Sequence, residues 1–165
     1  MLPIKNRLLY FSLFISLLLS QAHAAQAPDI RIQTGKQSLQ LKDLRGTVIY
    51  LDFWASWCIP CRESFPWMNK IEQQYSKKGF KVIAINLDEN RSQADAFLKK
   101  YPAQFTVGFD ASGDSAEAFN VKGMPSSYLI DRRGNILSSH IGFRQKEIEQ
   151  LESAIRAALA QQEAM

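Results

Sequence analysis

Three features of the sequence predict an α/β fold with a mixed central sheet and helices on both faces. A β-branched and aromatic run feeds directly into a helical pattern, strands and helices then alternate along the chain, and the chain closes on a hairpin pattern followed by an amphipathic helix. At 165 residues, 46% of them hydrophobic and 22% charged, the chain holds one domain with a core and is too short for two. No repeat of 20 to 50 residues and no low-complexity run is present, which excludes solenoid, collagen-like and disordered readings.

In chain order, the N-terminus reads as a targeting segment. Lys5 and Arg7 precede the apolar residues 8–19 (LLYFSLFISLLL), and Gln21-Ala22-His23-Ala24 fits an A-x-A cleavage site. Twelve apolar residues interrupted by Ser12 and Ser16 fall short of the roughly 20 that span a bilayer, so the expectation is a cleaved signal peptide at 1–24 rather than an anchor. The mature domain is then 25–165, exported to a bacterial periplasm. Without Lys5 and Arg7 the net charge of +4 falls to +2, and no cluster of five to eight basic residues remains, so nucleic-acid binding is not expected.

Residues 30–33 suggest an edge strand after a loose tail at 25–29. Residues 47–54 (TVIYLDFW), preceded by Gly46, read as a buried strand. A helix over 60–78 follows, with Phe65, Met68, Ile71, Gln74 and Tyr75 near helical spacing and Gly79 as its stop. A second strand at 80–86 and a second helix at 92–100, opened by Ser92 and Asp95, lead to a third strand at 105–109. A short helix at 115–120, strands at 126–131 and 136–141 around Arg133-Gly134-Asn135, and a helix at 146–160 complete the order.

The two cysteines, Cys58 and Cys61, lie in Trp57-Cys58-Ile59-Pro60-Cys61, between the first long strand and the first long helix. A structural zinc site needs four ligands, and neither another cysteine pair nor a nearby histidine supplies them. A disulfide closing so small a loop removes little chain entropy, so a purely structural bridge is a weak reading. Redox chemistry remains. Unpaired N–H groups and the dipole at a helix N-terminus favour a thiolate, which makes Cys58 the nucleophile. Cys61, one turn later, is placed to resolve the mixed disulfide. Pro60 suits a first helical turn, where its missing N–H costs nothing. Asp52 sits two residues before Trp54 in an apolar strand. If buried, its raised pKa lets it take or supply the proton of Cys61; on a half-exposed strand it merely faces water, and spacing does not choose. Phe53 and Trp54 are expected in the core, and Trp57 at the rim beside the thiol, within reach of partner proteins.

The stretch Asp52-Phe53-Trp54-Ala55-Ser56-Trp57-Cys58-Ile59-Pro60-Cys61 closely resembles the thioredoxin active-site segment, and Gly123-Met124-Pro125-Ser126-Ser127-Tyr128-Leu129-Ile130-Asp131 is similar to the segment carrying its cis-proline. The resemblance covers roughly residues 43–160. It implies a thioredoxin fold, a cis peptide at Pro125 facing the cysteines, and Met124 as a client contact. Sixty-four positions from Cys61 to Pro125 exceed what minimal thioredoxin uses, and the extra strand and helix resemble the exported TlpA/ResA-like branch. That branch implies an acidic residue near the cysteines after the inserted strand, and Glu89 is the matching position. Ile59-Pro60 and the absence of an acid after Pro125 depart from the members dedicated to cytochrome c maturation.

These observations point to a thiol:disulfide oxidoreductase that reduces disulfides of client proteins, is recharged by a membrane thiol donor, and works as a monomer without metal or organic cofactor. An oxidase or isomerase would use the same thiols. A Cu(I)-delivery module is the alternative from another class, because soft thiolates bind Cu(I), although related modules use wider cysteine spacing and a distal histidine. A peroxidase of the related kind would carry a Thr shortly before its cysteine, where this chain has Ser56 and Trp57. His140, the one histidine of the mature chain, is assigned no role.

Overall fold

The structure is a computed structural model that describes residues 25–35 and 37–161. The expected signal segment 1–24 lies outside the described residues. Its elements are β1 (Arg31–Thr34), β2 (Gln37–Gln40), β3 (Val48–Trp54), α1 (Cys61–Tyr75), β4 (Phe80–Asn86), α2 (Arg91–Lys100), β5 (Thr106–Phe109), α3 (Asp114–Ala118), β6 (Ser126–Ile130), β7 (Ile136–Ile141) and α4 (Ile148–Ala160). The seven strands form one mixed sheet in the order β2-β1-β5-β4-β3-β6-β7. The three central strands β5, β4 and β3 run parallel, and β6, β7, β1 and β2 add antiparallel pairs on either side.

Strand β3 is buried at every position, which explains its continuous apolar run, and its alternation sends residues to two cores. Val48, Tyr50 and Trp54 join Phe65, Met68, Ile71 and Tyr75 of α1, with Phe97 of α2 and Ile155 and Ala158 of α4. Ile49, Leu51 and Phe53 pack on the opposite face with Ile32, Leu41, Phe119 and Ile130. Gln74 of the expected apolar stripe is exposed, and Trp67 is buried instead, edge-on to Tyr50 at 5.3 Å between ring centroids. α1 ends three residues earlier than expected, since Ser76–Lys78 tighten into a 3-10 turn before Gly79 at φ 74°.

Four expectations are corrected. The tail at 25–29 is not loose: Ala27 N–H donates to Gly134 O and Ile136 N–H to Ala25 O, both at 2.8 Å, and Lys42 pairs with Asp29 at 2.8 Å. This docking gives the tail's backbone groups partners on the β6–β7 turn, a gain no local pattern reveals. The strand near residue 30 is not the edge either, because β2 pairs outside it. β2 is four residues, half-exposed or exposed, with no apolar alternation to announce it. The second helix opens at Arg91 on Asn90 with no side-chain cap, so Ser92 lies inside its first turn rather than opening it, while Asp95 pairs with Arg91 at 2.8 Å. Asp131 leaves the strand to serve the turn, its Oδ1 accepting from Arg133 N–H and Asn135 N–H at 2.8 Å each, around Gly134 at φ 86°.

Candidate functional site

The site forms where β3 hands the chain to α1. Leu87 N–H donates to Trp54 O at 2.9 Å, extending the β3–β4 ladder one residue beyond the strand. The chain then turns through Ala55–Pro60, with Cys58 N–H bonded to Ala55 O at 3.1 Å. Asp88 fixes this turn. Its carboxylate accepts from Ser56 N–H at 2.9 Å, from Ser56 Oγ at 3.0 Å and from Asn86 Nδ2 at 2.8 Å, and it is buried. The two Ser56 donors thereby tie the motif to Asp88, and Asn86 holds Asp88 to the end of β4.

Cys58 and Cys61 are joined in a disulfide, with Cα atoms 5.4 Å apart. Pro60 takes the N-cap position of α1 at φ −64°, and Glu63 and Ser64 N–H groups both donate to its carbonyl. The Cys61 N–H donates to Cys58 Sγ at 3.3 Å, the one bond to that sulfur among the described residues. Cys58 keeps 2% of its surface exposed and Cys61 none, while Trp57 and Ile59 stand out at 65% and 67%. An apolar rim therefore surrounds an almost closed sulfur pair.

Asp52 resolves the alternative that spacing left open: it is 1% exposed. It shares its face of β3 with Tyr50 and Trp54, the face on which the cysteines and α1 pack. Its Oδ2 is buried with no hydrogen-bond partner among the described residues, and burial holds the carboxyl well above the ordinary carboxylate range. A buried acid whose protonated form is favoured thus lies on the face of the sheet against which the cysteine helix packs.

The Met124–Pro125 peptide is cis, as the resemblance implied. The register Phe53↔Ser126 sets Pro125 opposite Trp54, at the point where the motif begins. Pro125 is buried, its carbonyl taken by Gly142 N–H at 2.7 Å, and Met124 packs against the core cluster that contains both cysteines. The structure therefore gathers Cys58, Cys61, Asp52, Trp57, Met124 and Pro125 at one end of the sheet.

Glu89 is different. It is exposed and, among the described residues, bonds nothing in the motif; the acid that reaches the motif is the neighbouring Asp88. Sequence reasoning missed Asp88, and its only signal was an acid directly after an apolar strand. Phe53 and Trp54 are fully buried, and His140 lies on β7 with Nε2 3.0 Å from Glu147 Oε2. Among the described residues no cluster of His, Cys, Asp and Glu suits a metal ion, and no helix is long and apolar enough to cross a membrane.

A thioredoxin fold whose first long helix opens on a Cys-x-x-Cys disulfide, with a cis-proline beside it, defines a thiol:disulfide oxidoreductase. The chain belongs to the Redoxin family, whose model matches residues 22–155. It is 32% identical to the thiol-disulfide oxidoreductase ResA of Bacillus cereus over 92% of this chain and 96% of that protein. It is 37% identical to the thioredoxin-like protein YneN of Bacillus subtilis, over 76% of this chain and 75% of that one. A Chlorobium tepidum structure described as a thiol:disulfide interchange protein DsbE superposes with a TM-score of 0.80 at 50% identity, covering 82% of this chain and 96% of the other. The enzyme is accordingly a thiol:disulfide oxidoreductase of the ResA/DsbE type, and its redox pair is Cys58 and Cys61.

Proposed function

We propose that this enzyme is an exported reductase of client-protein disulfides. The Cys58 thiolate attacks one sulfur of a client disulfide, forming a mixed disulfide and releasing the other client sulfur as a thiolate. Asp52 gives its own proton to that departing client thiolate and, now ionised, takes the proton of the Cys61 thiol. The Cys61 thiolate attacks Cys58 Sγ, the Cys58–Cys61 disulfide forms, and the second client sulfur leaves and is protonated. Two electrons pass from the dithiol to the client. A membrane thiol donor reverses the change on the enzyme, and the monomer is the working unit.

The observation that carries this reading is the buried Asp52 carboxyl, its Oδ2 without a partner among the described residues, on the face of β3 against which the cysteine helix packs. It equips the site for proton transfer during exchange, a duty that a Cu(I)-delivery module would not need. The reducing direction is supported by how little besides the helix N-terminus would stabilise a Cys58 thiolate. One backbone N–H reaches the sulfur, no cationic side chain is bonded to it among the described residues, and Ile59 offers no donor. Strong oxidants owe their potential to a stabilised reduced form. Met124 and Pro125 form the client-strand contact with Trp57 at its rim, and Glu89 is at most a peripheral charge. Export rests on the leader pattern of 1–24, with cleavage after Ala24 giving a periplasmic domain of 25–165.

The test is the equilibrium potential of the Cys58/Cys61 couple in the purified protein, poised with glutathione and dithiothreitol and with Cys58→Ser as control. A value near about −270 mV supports the reductase, and one near about −120 mV overturns the direction.

A further inference from the structure

We infer that Asp52 exchanges its proton with solvent sideways across the sheet, through Ser127 and His140, rather than through the mouth of the site. This rests on the proton-carrying role proposed above for Asp52. Register sets the groups in one row. Asp52 of β3 stands directly opposite Ser127 of β6, and Ser127 stands directly opposite His140 of β7. Opposed residues of antiparallel strands share a face, with Cβ atoms about 4.5–5.5 Å apart. The row begins at a carboxyl that is 1% exposed and ends at a half-buried imidazole on the last strand of the sheet.

Apart from the Cys61 thiol, which is itself shut off from solvent, the other directions from Asp52 offer a proton nothing to ride on. Its partner on β4 is Ala84, fully buried, and along its own strand Trp54 is fully buried. Cys61 and Cys58 close the mouth side with 0% and 2% exposure. The hydroxyls on this face are those of Ser127, opposite in register, and Tyr50, two residues back on β3; Trp54 Nε1, buried without a partner among the described residues, only donates and relays no proton. Between Tyr50, Ser127, Ser138 and His140 lies a cavity of about 10 Å³, walled by Leu151, Ala154 and Ile155 of α4. That is room for about one water molecule, with enough polar partners to hold it.

A hydroxyl accepts one proton while releasing its own. In the transfer the Asp52 carboxyl, whose Oδ2 is unbonded among the described residues in this disulfide form, turns onto Ser127 Oγ and gives up its proton as the Ser127 proton passes across the cavity to His140 and on to solvent; the reverse delivers one. No electron moves, and each proton lost by the carboxyl is matched by one gained outside. Few charged groups face this row. Tyr50 is pushed far up by burial and then by the Asp52 charge, so it stays neutral. Glu147, reached by His140, is held below its ordinary value by Arg144 and His140 against the upward pull of burial. α4 presents only apolar side chains to the cavity, and α1 brings the cysteine pair.

The experiment is stopped-flow tryptophan fluorescence of exchange with a small disulfide, in dilute buffer between pH 5.5 and 9. It compares the full-length protein with Asp52→Asn, Ser127→Ala, Ser127→Thr and His140→Ala, the last with and without added imidazole. Asp52→Asn flattens the pH profile. Ser127→Ala and His140→Ala each slow exchange on the order of tenfold with the redox potential unchanged, Ser127→Thr keeps the rate, and imidazole restores His140→Ala. If Asp52→Asn flattens the profile while the Ser127 and His140 variants keep wild-type rates, the route is overturned and the Asp52 reading stands. Slowing that neither threonine nor imidazole reverses also overturns it. An unchanged profile in Asp52→Asn removes the route and the Asp52 role together.

Discussion

Replacing Asp52 by Asn should stabilise the fold relative to wild type, and more so at neutral than at acid pH. The carboxyl is buried, its Oδ2 has no partner among the described residues, and burial holds its folded pKa well above the ordinary carboxylate value of 3.8. Above 3.8 the unfolded chain has released this proton while the folded chain still holds it. Folding then takes up a proton, and stability falls as pH rises, by at most about 1.4 kcal/mol per pH unit, until the folded pKa is passed. For a chain of this size that slope is roughly 5 °C in Tm per pH unit. The amide does not titrate, so the difference, variant minus wild type, starts near the local cost of the amide at pH 4 and climbs with pH. Asp110 and Asp131, held low by hydrogen bonds from their own loops against the cost of burial, lose stability in the opposite sense as pH falls, but they titrate in both proteins and cancel. Urea denaturation of both disulfide forms at pH 4, 5, 6, 7 and 8 measures the difference. Parallel curves, or a difference that shrinks with pH, would refute the reasoning.

Two further outcomes follow from the geometry. Cys61→Ser should accumulate a mixed disulfide with a model client, and Cys58→Ser should form none; gel shift under non-reducing conditions with thiol trapping reads both, and adducts in Cys58→Ser would reverse the assigned order of attack. Asp88→Ala removes three bonds from one buried carboxylate and should cost about 3 kcal/mol in denaturant unfolding, with Glu89→Ala within about 0.5 kcal/mol of wild type.

The comparison of Asp88 with Glu89 shows where sequence reading stops. Family resemblance placed an acid after the inserted strand, and two acids stand there. Which one turns inward depends on where Asn86 ends β4 and on Ser56 approaching from 32 residues away. The docked tail at 25–27 and the half-exposed strand β2 were equally out of reach, since each is held by partners distant in sequence and carries little periodicity of its own.

By itself the sequence determined the alternation of strand and helix, the placing of Cys58 and Cys61 at a helix start, and the chemistry that pairing permits, because hydrophobic period, turn residues and thiol spacing are local quantities. Tertiary structure alone decided that Asp52 is buried rather than half-exposed, that Asp88 clamps the motif, and that Ser127 and His140 extend from Asp52 in one row. Those facts are set by strand order and register, which bring together residues up to 88 positions apart, and no local pattern fixes which strand lies beside which.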